Sequence, residues 1–128
     1  MSASQEIIER YSKVEHADDT FGRVIGVRRL RVSQQIKISE MTPSLEGTVD
    51  QVGPDGKIVS MPRRMMPALA AAVCEIDGDK IPFPKSRGEL DAVMDRLDIE
   101  GLMAAFEASI KLSGGDVPAE EGEDNQKK

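Results

Sequence analysis

The sequence predicts an α+β fold, mainly α-helical, in which a small N-terminal β-hairpin or short sheet packs on three short helices and a disordered acidic C-terminal tail follows. Three observations lead there. β-branched residues gather in "GRVIGVRRLRV" (22–32) and on both sides of the turn "GPDG" (53–56). Apolar residues recur at helical spacing over three later segments. From Ser113 onward the chain is rich in Gly, Glu and Asp with one Pro and a single Val, a composition that cannot offset its own ordering entropy.

Taken in order, residues 1–19 carry a weak helical period at Ile7, Ile8, Tyr11 and Val14 and end in "EHADD", which reads as a short, fraying helix in a flexible N-terminal segment. One globular domain is expected over 20–112, with the tail occupying 113–128. Val24, Ile25, Val27, Leu30 and Val32 favour a strand over 23–32. "SQQIKISEM" follows as one or two helical turns with Ser33 as N-cap, closed by Pro43. Val49 and Val52, then Ile58 and Val59, flank Pro-Asp-Gly, in which Pro presets φ and Gly tolerates φ > 0, so a hairpin is expected over 49–59. Such a hairpin is marginal alone and must pair with the 23–32 strand or pack on a helix. Over 62–76, Met66, Leu69, Ala70, Val73 and Cys74 mark one helix face, and Pro67 is tolerable only in the first turn. Asp77-Gly78 ends that helix, and "KIPFP" runs extended because each proline pushes its predecessor out of the α region. Ser86 and Glu89 form a capping box for a helix with Leu90, Val93, Met94 and Leu97 on one face. Asp98 is the N-cap of a second helix carrying Leu102, Ala105, Phe106, Ser109 and Ile110, stopped by Gly114-Gly115. Neither helix can bury its stripe by itself.

Composition bounds the function. At 128 residues with aromatics at 3% and no Trp, the core must be built from Leu, Ile, Val, Met and Ala. A core of that size is marginal, which makes a homo-oligomer or a partner a source of further burial. Residues 1–64 hold ten bases against nine acids and residues 65–128 seven against fourteen, so the halves carry +1 and −7. An acidic C-terminal half repels phosphate backbones and argues against nucleic acid. The N-terminus lacks a basic region followed by an apolar run, and no stretch reaches the roughly 18 apolar residues that span a bilayer, so neither secretion nor membrane insertion is expected.

A search for chemistry yields little. With His16 the only histidine, Ser-His-Asp triads and multi-histidine metal sites are excluded, and His16 reads as a solvated helix-end residue. Cys74, the single cysteine, sits in "AAAVCEI" and reads as a small buried hydrophobe rather than a nucleophile. Asp77, Asp79, Asp91, Asp95 and Asp98 lack the ligand spacing of a calcium loop, and Gly22 and Gly26 do not form a phosphate-cradling motif. No catalytic, cofactor or metal site is expected. The basic stretch 23–37, with Arg23, Arg28, Arg29, Arg31 and Lys37, lacks interleaved aromatics and a second recognition helix, so an acidic protein surface fits it better than DNA. Met61, Met65, Met66, Met94 and Met103 supply an adaptable apolar surface, or fill an aromatic-poor core.

The order of these segments resembles a known family. "GRVIGVRRL", the alanine-rich "AAAVCEIDG", the turn and helix "DKIPFPKSRGELDAVMDRL" and the closing "IEGLMAAFEA" are similar to the tail assembly chaperones of long-tailed bacteriophages over roughly residues 20–112. The most specific part is "EIDGDKIPFPKSRGELDAVMDRLDIEGLMAAF", whereas "GPDGKIVSMPRR" departs from the family pattern. The resemblance implies a non-enzymatic protein of the host cell cytoplasm, absent from the finished virion. It would bind the phage tape measure protein, keep it soluble and help recruit tail tube protein. On this reading the partner-binding surface is expected at Met94, Leu97, Leu102, Met103, Phe106 and Ile110, the apolar positions of the last two helices with the least obvious intrachain partners. The competing classes are a structural tail or baseplate subunit and a small DNA-binding regulator using the 23–37 stretch.

Overall fold

Two short runs of β-branched residues, 24–28 and 73–76, lie side by side at the centre of the molecule although nearly fifty residues separate them. The computed structural model describes residues 2–43, 46–52 and 56–114. Its elements are α1 (Ala3–Ser12), β1 (Val14–Asp18), β2 (Val24–Arg28), α2 (Val32–Met41), β3 (Thr48–Val52), β4 (Ile58–Pro62), α3 (Met65–Ala72), β5 (Val73–Ile76), β6 (Asp79–Lys80) and α4 (Arg87–Leu112). The fold is α+β, as the segment pattern predicts.

The main sheet is antiparallel with strand order β1-β2-β5-β6, and the β3-β4 hairpin forms a separate two-stranded sheet. One face of the main sheet presents Ala17, Ile25, Val27, Val73 and Ile76, all buried, to α4 and α3. Leu90, Leu97, Ile99, Leu102, Ala104, Ala105 and Ala108 from α4 and Leu69, Ala70 and Ala71 from α3 complete the core. Each large side chain so placed contributes about 1.5–3 kcal/mol. Alanines at five core positions of the two helices let their backbones approach closely, which is how an aromatic-poor chain closes its interior.

Several expectations need correction. The segment "EHADD" is not a helix end: Val14–Asp18 is the edge strand β1, paired with β2 from Val14↔Arg28 to Asp18↔Val24. The domain boundary expected at residue 20 therefore falls between two paired strands. The helix expected over 62–76 stops at Ala72, because Val73 and Ile76 complete the sheet beside Val27 and Ile25, where β-branched side chains pack best. Asp77-Gly78 then turns a hairpin rather than ending a helix: both residues have positive φ (53° and 85°), the type I′ turn that matches strand twist. The strand expected over 23–32 is confined to 24–28, and α2 begins one residue before Ser33, with Arg31 as its N-cap.

Other readings hold. The hairpin expected over 49–59 occupies Thr48–Val52 and Ile58–Pro62, paired from Thr48↔Pro62 to Val52↔Ile58; its turn residues 53–55 lie outside the described residues. Met61 is buried beside α3, as the need for a supporting helix requires. Pro67 lies in the first turn of α3. Ser86 Oγ accepts from the Glu89 N–H at 3.2 Å, while the Glu89 carboxylate accepts from the Lys85 N–H, one residue earlier than a reciprocal capping box requires. The tail expected to be disordered falls, from residue 115, outside the described residues.

Candidate functional site: an apolar groove between α3 and α4

The two amphipathic helices expected to meet at Asp98 do so, and the junction is built by residues far away in sequence. Asp98 has φ 59° and ψ −175°, a conformation that costs a non-glycine residue about 1–3 kcal/mol, and its side chain accepts from the Ile99 N–H at 2.8 Å. Residues 87–97 and 99–112 are thus two helices around a one-residue corner. The first of them ends with free carbonyls, and Arg23 satisfies two: Nη1 donates to the Arg96 carbonyl at 2.8 Å and Nη2 to the Leu97 carbonyl at 2.7 Å. A cation at a helix C-terminus also meets the negative end of the helix dipole.

Asp19 fixes Arg23 in place. Its side chain is fully buried, accepts from Arg23 Nε at 2.6 Å, and takes the backbone N–H groups of Phe21 and Arg23 at 2.9 Å each. Burial pushes this carboxyl up, but the Arg23 backbone and guanidinium and the Phe21 N–H outweigh it and hold the group below the usual carboxylate range. Gly101 lets the corner close: a Cβ there would lie 2.9 Å from Leu97 Cβ and Cδ2 and 3.2 Å from Arg23 Nη2.

Toward the C-terminal end of the 99–112 helix, away from this corner, lies an apolar groove of about 320 Å³ between that helix and α3. Leu30, Met65, Leu69, Phe106 and Leu112 form most of it, Ala68 and Ala72 keep it open, and Arg29 stands at its edge, donating weakly to the Leu112 carbonyl at 3.4 Å. Among the described residues, Arg29 is the only charged one lining it.

The six expected binding residues do not share one surface. Leu97 and Leu102 are core residues, 0% and 3% exposed, and are removed from the candidate surface: the corner turns both toward the sheet. Met94 is half-buried against the core, and Ile110 is half-buried without joining it. Met103 lines a separate, smaller cleft with Val59 and Ile99, and Phe106 alone of the six lines the groove. Met65, Ala68, Leu69 and Ala72, at i, i+3, i+4 and i+7, were the missed half. "MMPALAAA" is apolar all round the helix, so the sequence leaves open which of its faces packs on the core and which stays outside.

The remaining candidates sit apart. His16 is on β1, not at a helix end, and its Nε2 lies 2.9 Å from Glu75 Oε1 across Gly26, where a Cβ would come within 3.0–3.1 Å of both side chains. Cys74 is the extra residue of a β-bulge; burial pushes its thiol up, and the nearby Arg28 charge offsets this only in part. The basic run is dispersed, with Arg23 turned inward to the corner, Arg29 at the groove and Arg28 on the exposed end of β2. Among the described residues, no group of three or more His, Cys, Asp and Glu could hold a metal ion, and no helix is long and apolar enough to cross a membrane. Comparison with protein-family models, curated proteins and solved structures finds no match to this chain.

Proposed function

We propose that the protein is a tail assembly chaperone of a long-tailed phage, which binds the tape measure protein through the groove between α3 and the 99–112 helix and keeps it soluble while tail tube protein is recruited. The observation that carries this reading is the groove itself. An apolar cleft walled by two helices, with methionine and phenylalanine at its mouth and alanines that allow close approach, accepts the apolar face of a client helix. Met65 in particular can adapt to varied client side chains. The resemblance of residues 20–112 to that family supports the same client.

Co-expression with the tape measure protein encoded beside it, followed by pull-down and size-exclusion chromatography, tests the reading. The expected result is a soluble complex with a client that is insoluble alone, and loss of that complex in Ala68→Glu, which puts a charge at an exposed groove position without touching the core. A folded Ala68→Glu variant that still binds would remove the groove from the reading. No complex with the unaltered chain, together with its retention in purified virions, would replace the chaperone by a structural tail subunit.

A further inference from the structure

The groove has a counterpart in the same chain. No residue of α1 is buried: Ile7 is 50% exposed and Ile8 67%, with Tyr11 on the same stripe one turn on. Yet this helix is carefully started. Ser2 Oγ accepts from the Gln5 N–H at 3.2 Å and Gln5 Oε1 from the Ser2 N–H at 3.1 Å, a complete capping box. An isolated ten-residue helix is marginal in water, and packing of its apolar face is what ordinarily stabilises one. An apolar helix face and an apolar groove, each uncovered, thus stand on one molecule.

Charge and geometry pair them between two copies. The groove's one charge is the Arg29 guanidinium, and α1 carries Glu6 and Glu9 flanking its isoleucines; none of the three makes an ion pair among the described residues. Ala68 and Ala72 leave room for a helix backbone. Lys13 is the single residue between α1 and β1, is extended (φ −74°, ψ 135°), and is followed at once by the Val14↔Arg28 pairing. A one-residue link, spanning about 3.5 Å, restricts how far α1 can fold back over its own protomer. A second copy receives the helix with Lys13 as it stands.

We propose that α1 of one protomer docks in the α3/α4 groove of a second copy, with its acidic residues toward Arg29, and that the exchange is reciprocal. Reciprocity follows from size. One short helix in one groove falls short of the roughly 1,200 Å² that specific interfaces bury, whereas a twofold exchange uses two grooves and brings the protomer surfaces between them together. The inference goes beyond the client reading and requires no client for its test: failure of the dimer leaves the co-expression result untouched, and the reverse holds as well.

The test is sedimentation velocity of the full chain over a dilution series, alone and as Ile7→Asp/Ile8→Asp. A dimer that the double substitution weakens about ten-fold or more, at unchanged circular dichroism, is the expected result. Arg29→Glu should weaken it too, and Glu6→Arg/Glu9→Arg in the same chain should restore part of the loss. Two single-cysteine chains in a Cys74→Ala background, Ile8→Cys and Ala68→Cys, should form a disulfide heterodimer when mixed. A monomer at every concentration would overturn the proposal. So would a dimer indifferent to the α1 substitutions, or a cross-link that forms only when both cysteines are placed in one chain.

Discussion

The α4 helix pair and the N-terminal helix α1 are both amphipathic, both start at a serine cap, Ser86 and Ser2, and end in opposite states. At the corner, helix carbonyls, a buried carboxylate and a guanidinium satisfy one another over a backbone pinched against Gly101. In α1 the cap is complete but no residue is buried, and Ile7 and Ile8 face solvent. The difference teaches that a capped amphipathic pattern states where a helix starts and which face is apolar, while burial depends on what the rest of the chain brings to that face.

The comparison breaks most readily at Arg23. Arg23→Ala strips the partner from a fully buried Asp19 and uncaps residues 96 and 97, and should cost about 3–5 kcal/mol in urea unfolding. Acid should act on the same bond. Because the Asp19 carboxyl is held below its ordinary value of 3.8, its contribution is present above that pH and is lost as pH falls through the lower folded-state value. Unfolding free energy measured from pH 6 to 2 should therefore fall more steeply in the unaltered chain than in Asp19→Asn.

Gly101→Ala comes next. Its Cβ meets Leu97 Cβ and Cδ2 at 2.9 Å, so overpacking should cost about 1–3 kcal/mol, and a thermal melt would show it. Asp98→Gly should move the other way: releasing the strained φ/ψ outweighs the bond to the Ile99 N–H, with a gain of about 1 kcal/mol. An unchanged or lowered midpoint would mean that the aspartate cap matters more than the strain. Smallest is Ile7→Asp/Ile8→Asp, which should change the stability of the dilute monomer by no more than about 0.5 kcal/mol, since neither residue is buried. That contrast with Arg23→Ala is the comparison in its sharpest measurable form.

Within the candidate site, the sequence pointed to the right helix and chose its residues unevenly. The i, i+3, i+4 pattern found the apolar stripe from Leu102 to Ile110, but spacing cannot tell the part of a stripe that meets a sheet from the part that meets water. Leu97 and Leu102 met the sheet. The other wall, on α3, was hidden because an all-apolar helix has no polar side to orient it. The strands at 14–18 and 73–76 were hidden for a related reason: "EHADD" and "VCEI" have weak local preferences, and each becomes a strand through pairing with β2.

What the sequence determined by itself is what short-range chemistry controls. That includes the Ser86 cap, the break at Asp98, the Asp77-Gly78 turn, the extended Pro-Phe-Pro run, the 49–59 hairpin and the place of Pro67 in the first turn of α3. Each depends on φ/ψ limits or on a hydrogen bond within a few residues. Only the tertiary structure decided that Arg23 reaches across seventy-four residues to Leu97, that His16 meets Glu75 over Gly26, and that Phe106 rather than Leu102 faces the groove. Those pairings are selected by the burial of one shared core and by the need to satisfy the polar groups it encloses, and both are properties of the whole chain.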